Sequence, residues 1–245
     1  LAIAAIAAFL ANEPLLVLVG DRGTRLQRTE SDRAKRALLV FALVAVGAGL
    51  GGVLTAPSAA QIAVLLPVLL GGGVFLIAVQ GLERSMFGQG LAAAALSSVA
   101  VPLGLSAGLS VTASFSVALI WAVTALLGTS IVRLTVARTK AKTKEEKASV
   151  AFKRTLLIAA CLLVIGVGAA APFGKSIGLW VLAAAVPVAV VVLIMAVFRP
   201  TSHRLRMMGW SLVGASLLSL IAVVTALRVL RDIDSVEPTL PFPMF

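Results

Sequence analysis

Asn12, Glu13 and Pro14 stand side by side in the apolar run AFLANEPLLVLVG, residues 8–20. An amide donates and accepts hydrogen bonds, and a carboxylate binds a proton, a cation or a polar headgroup. A proline removes one N–H, which leaves the carbonyl of Leu10 without its usual helical partner. In lipid an unpaired carboxylate costs about 2.5 kcal/mol or more. Glu13 is therefore expected to be protonated, paired or wet, on a helix bent around a polar cavity. It lies about two turns, roughly 10–12 Å, inside Asp21 and the basic loop.

A second polar cluster follows the same plan. The helix exit AAFLANEPLLVLVGDRGTRLQ and the exit TALLGTSIVRLTVARTKAKTK each run apolar, then small and polar, then apolar, then into Arg and Thr. Aligning them sets Asn12-Glu13 over Gly128-Thr129, an offset of 116 residues. Read as an internal repeat, this makes Thr129, Ser130 and Arg133 partners for Glu13. Gln80 and Glu83 end the third span near the same level. Together these residues are expected to line one polar pocket that takes a lipid or isoprenoid. Arg22, Arg25 and Arg138 are the candidates for holding an anionic headgroup or a diphosphate. The plainer alternative is an interhelical Glu13–Arg133 pair with no ligand.

Other chemistries find little footing. Cys161 is the only cysteine and His203 the only histidine, which excludes an internal disulfide and cysteine or histidine metal clusters. No metal and no cofactor are expected. Ser97, Ser98, Ser106 and Ser110 have no His or Lys base at helical spacing. GTSIVR lacks the glycine and lysine of a phosphate loop.

The elements that must position these residues are membrane helices. The chain of 245 residues is 60% hydrophobic with mean hydropathy +1.08, more apolar surface than a water-soluble domain can bury. Eight spans are expected, near 1–20, 37–55, 59–80, 89–107, 111–137, 155–172, 176–198 and 207–228. They form one all-α polytopic bundle over 1–231, followed by an extended Pro-containing tail over 232–245. The chain opens inside an apolar run, so a ninth, preceding helix is expected. Lys and Arg divide eighteen to three between alternate loops, which places the odd loops in the cytoplasm and the tail outside. The net charge of +11 is then a topology signal and an attraction to anionic lipid, not a sign of nucleic-acid binding. The basic stretch 138–154 reads either as a solvated linker or, in its second half, as a short amphipathic helix on the membrane. Gly71-Gly72-Gly73, and Gly47 with Gly51, point to close helix packing, Gly47 and Gly51 with a partner subunit as one option.

Two equivalent helix exits in an eight- or nine-helix chain resemble the UbiA prenyltransferase superfamily. That resemblance implies aspartate-rich motifs at both exits. Asn12 and Glu13 match the opening of the first, NDxxDxxxD, but Leu16 and Gly20 replace its later aspartates. The second has no acidic counterpart between Thr129 and Lys144. Such sites hold a prenyl diphosphate through Mg²⁺, which requires several carboxylate oxygens. Prenyl transfer is therefore not expected, and the site reads as degenerate. The segments FLANEPLLVLVGDRGTR and HRLRMMGWSLVGASLL also resemble the YwiC-like family of bacterial membrane proteins. This implies a bacterial inner-membrane location. Three functions follow: lipid or isoprenoid binding without metal-dependent transfer, an accessory subunit of a respiratory or photosynthetic membrane complex, or proton-coupled transport through Glu13.

Overall fold

Long apolar runs become helices because, in lipid, each backbone N–H and C=O must find its partner within its own segment. The computed structural model describes residues 1–20, 23–82, 85–170, 183–199 and 205–236, and no strand forms among them. In chain order the helices are α1 (Ala2–Val19), α2 (Thr24–Leu54), α3 (Ser58–Ala63), α4 (Leu65–Val79) and α5 (Met86–Ser98). There follow α6 (Ala100–Ser106), α7 (Val111–Lys140), α8 (Lys144–Ala170), α9 (Val186–Phe198) and α10 (Leu205–Val236). Among the described residues seven stretches are long and apolar enough to cross a membrane: Ala2–Val19, Gln27–Leu54, Ser58–Val79, Met86–Ser106, Val111–Lys140, Lys144–Ala170 and Leu205–Arg228. The chain is an all-α polytopic membrane protein. In the region of the expected span 176–198, α9 accounts for Val186–Phe198, and residues 171–182 lie outside the described ones.

Two breaks fall inside single spans. Val64 separates α3 from α4 just ahead of Pro67, and Val99 separates α5 from α6 just ahead of Pro102. Each proline lacks the N–H that would bond four residues back. Pro14 behaves differently, because α1 continues through it to Val19. Gly20 then closes α1 at φ 89°, a left-handed conformation that glycine adopts without steric cost. The Gln27 side-chain amide donates to the Leu18 carbonyl at 2.7 Å, which satisfies one of the acceptors left at that helix end.

Both basic segments are more helical than expected. Arg25, Arg28, Arg33, Lys35 and Arg36 belong to the first turns of α2 rather than to a loop. Only 141–143 separate α7 from α8, so the stretch 138–154 is neither a linker nor a separate surface helix. The cause is local. Thr143 and Glu146 cap α8 reciprocally, and no Gly or Pro occurs between Lys144 and Ile165. At the other end α10 runs to Val236, so 232–236 are helical where an extended tail was expected, and 237–245 lie outside the described residues.

The chain divides into two compact units, Leu1–Ala122 and Val123–Phe245. In the first, α1 packs mainly on α2, α4 on α5, and α3 on α6. Small residues allow the approach. A Cβ on Gly104 of α6 would lie 2.5 Å from the Ser114 hydroxyl, and one on Gly73 of α4 would lie 3.1 Å from Leu91 of α5. In the second unit, α9 packs on α8 and α10. Its core joins Leu127 and Ile131 of α7, Leu157 and Cys161 of α8, Val188 and Val192 of α9, and Met208 and Ala215 of α10. Cys161 is a fully buried packing residue there. Large side chains such as Leu43, Leu50, Leu69, Leu163 and Phe198 are exposed along the helices, where acyl chains would cover them.

Candidate functional site

The first unit carries the α1 cluster. Asn12 and Glu13 are exposed and Pro14 is half-buried, while Ala7 and Leu16 are buried. Gln80 is exposed at the end of α4, an element that α1 also touches. Arg25 is exposed in the first turn of α2. Glu83 and Arg22 lie outside the described residues.

Thr129, Ser130, Arg133 and Arg138 belong to α7 within the second unit. Thr129 and Ser130 are half-buried, as is Arg133. The Thr129 hydroxyl donates to the Ala125 carbonyl at 2.6 Å, so its proton serves its own helix. Arg138 has a longer reach. Its guanidinium donates to the carbonyl of Arg199 at 2.9 Å, across 61 residues of sequence. A cation there offsets the partial negative charge at the C-terminal end of α9.

That contact belongs to a cavity of about 180 Å³ in the second unit, which the sequence alone did not reveal. Three helix ends build it. Ile131, Leu134, Thr135 and Arg138 come from α7, with the spacing of one helical face. Lys147, Val150, Ala151 and Arg154 come from α8 with the same spacing. Met195, Ala196 and Arg199 come from the end of α9. Four cationic residues therefore line one small hollow, and no acidic residue among the described ones does. Arg154 Nε is buried with no hydrogen-bond partner among the described residues. Arg199 adopts φ 53°, ψ 58°, a left-handed conformation uncommon outside glycine, and its N–H still donates to the Met195 carbonyl at 3.1 Å.

The short turn before α8 is held by Glu146. Its carboxylate accepts the N–H groups of Lys142 at 2.7 Å and Thr143 at 3.0 Å, and its own N–H donates to the Thr143 hydroxyl at 3.2 Å. Those backbone hydrogen bonds, from Thr143 first and then Lys142, hold the carboxyl below the ordinary glutamate value. Glu146 precedes the apolar part of α8, and its capping fixes the start of the helix that carries Lys147 and Arg154.

Among the described residues no three His, Cys, Asp or Glu side chains come together as a metal would require. Residues 1–103 match the family model described as YwiC-like protein. The matched segment covers α1 to α5 and part of α6, including Asn12, Glu13 and Gln80, and it ends before the basic cavity. No curated protein matches the chain. No solved structure matches it either.

Proposed function

We propose that this integral membrane protein binds a lipid or isoprenoid at the polar cluster of α1, without metal-dependent prenyl transfer. One observation carries the reading: Asn12 and Glu13 present exposed polar side chains in the interior of a membrane-length apolar helix. An ionisable group at that depth faces a polar partner, water or a ligand rather than acyl chains. An amphipathic molecule with a hydroxyl, carbonyl or headgroup would meet Asn12 and Glu13 with its polar end and the neighbouring leucines and valines with its tail. The basic helix ends face the cytoplasm in this reading. Mass spectrometry of the purified protein tests it. A co-purifying lipid or isoprenoid that disappears in Glu13→Ala, with folding retained, supports it. Equal lipid content in the two proteins refutes it. Uptake that depends on pH and is abolished by Glu13→Gln would instead assign the carboxylate to proton coupling.

A second reading, as an accessory subunit of a membrane complex, has its own support. Gly47 and Gly51 lie on an exposed face of α2, and a Cβ at either would meet no heavy atom within 4 Å. Small residues four apart let a second helix approach closely. Co-purification of other subunits in fixed ratio, lost when Gly47 is changed to Leu, would favour that role.

A further inference from the structure

We infer that the cavity among the ends of α7, α8 and α9 is a binding site for a phosphate-class oxyanion, held by Arg138, Lys147, Arg154 and Arg199. This inference is independent of the α1 reading and involves different residues.

Arg138, Lys147 and Arg199 are exposed and Arg154 is half-buried, so water screens their mutual repulsion, yet four cations around one hollow with no described acidic lining residue set a positive potential that an anion lowers. The i, i+3, i+4, i+7 faces of α7 and α8 both end in an arginine at the same hollow. Arg154 Nε is the second observation. A buried guanidinium N–H with no acceptor is unfavourable, and an oxyanion supplies the acceptor. The third is Arg199. Its left-handed backbone sets its carbonyl to accept from Arg138 and places its side chain on the same cavity. Such backbone strain gathers at ligand sites.

Size and depth narrow the ligand. A volume of about 180 Å³ is smaller than the roughly 300–1,000 Å³ of pockets that enclose drug-sized molecules, and it suits one phosphate group rather than a whole isoprenoid. The cavity also lies where apolar helix gives way to charge. Leu156 follows Arg154 by two residues, and the apolar body of α9 ends at Phe198. That is the level of lipid phosphates in a bilayer. The oxyanion is thus either the phosphate of an anionic lipid headgroup or free inorganic phosphate. In both cases arginine forks and the lysine ammonium are the fitting partners.

The test uses the full chain, delipidated in a neutral detergent, with thermal unfolding as readout. One arm adds potassium phosphate against potassium chloride at equal ionic strength. The other adds short-chain phosphatidylglycerol against phosphatidylcholine. A binder of the folded state raises the unfolding temperature in proportion to its saturation. Stabilisation by phosphatidylglycerol alone assigns a headgroup site, and stabilisation by phosphate assigns a soluble-anion site. In either case Arg154→Gln and Arg199→Gly should weaken the apparent affinity by about tenfold or more, the loss expected for a charged hydrogen bond. Glycine adopts the Arg199 backbone without strain, so this variant keeps the fold even if Arg154→Gln does not. Lys140→Gln, an exposed charge outside the cavity, should leave the response unchanged. The inference is overturned if neither anion stabilises beyond its control. It is equally overturned if the folded cavity variants respond like the parent, or if Lys140→Gln loses as much as they do.

Discussion

Replacing Arg199 separates two energies that the folded chain carries at one residue. Its φ of 53° costs an L-residue with a Cβ about 1–2 kcal/mol relative to the right-handed region. Glycine removes that cost but loses more conformational freedom on folding, which returns about 0.4–1 kcal/mol to the unfolded side. Arg199→Gly should therefore be more stable than the parent by about 0.5–1 kcal/mol, with the Arg138–carbonyl hydrogen bond at 2.9 Å retained because the acceptor is backbone. For a chain of this length that is a rise of about 1–4 °C in unfolding temperature. Arg199→Ala keeps the strained backbone and removes the guanidinium. Arg199 is exposed, so its repulsion from Arg138, Lys147 and Arg154 is screened, and alanine should change stability only slightly at moderate salt. The assay is thermal unfolding of the three proteins in one neutral detergent and a chloride buffer. The expected order is glycine above alanine, and alanine close to arginine. If alanine matched or exceeded glycine, the backbone would store no strain and the argument from the left-handed turn would fail.

Two further predictions rest on separate geometry. Gly104→Ala places a Cβ 2.5 Å from Ser114 Oγ and 3.0 Å from its Cβ, so the variant should lose about 1–3 kcal/mol, and Ser114→Gly in the same chain should recover most of that loss in a double-mutant cycle of unfolding measurements. Glu146 is held below the ordinary glutamate value of 4.5, so its contribution to the α8 cap is fully present above that value and is lost as pH falls through the lower folded value. Amide exchange at Lys142 and Thr143 should accelerate in that acid window beyond the intrinsic trend, and Glu146→Gln should remove the extra pH dependence.

The helices were legible because a membrane demands long apolar runs, and a window of hydropathy finds them. Their starts were less legible, for a physical reason. α2 from Thr24 and α8 from Lys144 extend well into charged sequence, where hydropathy is silent and only propensity and capping speak. The cap of α8 was readable as Thr143 and Glu146 at the spacing of a capping box; Thr24 and Gln27 share that spacing, but Gly23 caps α2 with no side-chain hydrogen bond and Gln27 donates to the Leu18 carbonyl instead. The prolines were ambiguous for a similar reason. A ring at Pro14 deletes one hydrogen bond, and the surrounding apolar turns keep α1 continuous.

The cavity was harder still, because it is assembled from three helix ends far apart in sequence. The stripes 131, 134, 135, 138 and 147, 150, 151, 154 were each present as a pattern, but nothing in either says that it faces the other. Counted as topology signals, all the arginines and lysines at helix ends look alike. Their surroundings set them apart. Arg33 pairs with Glu30 at 3.8 Å and Lys35 with Asp32 at 3.6 Å, all on the exposed first turns of α2, where such pairs contribute little. Arg138, Lys147, Arg154 and Arg199 converge on one hollow whose described lining contains no acid. A basic residue that only orients a span works by its side of the membrane and tolerates any local geometry. A basic residue that binds an anion needs neighbours of the same sign and a missing acceptor, and Arg154 has both.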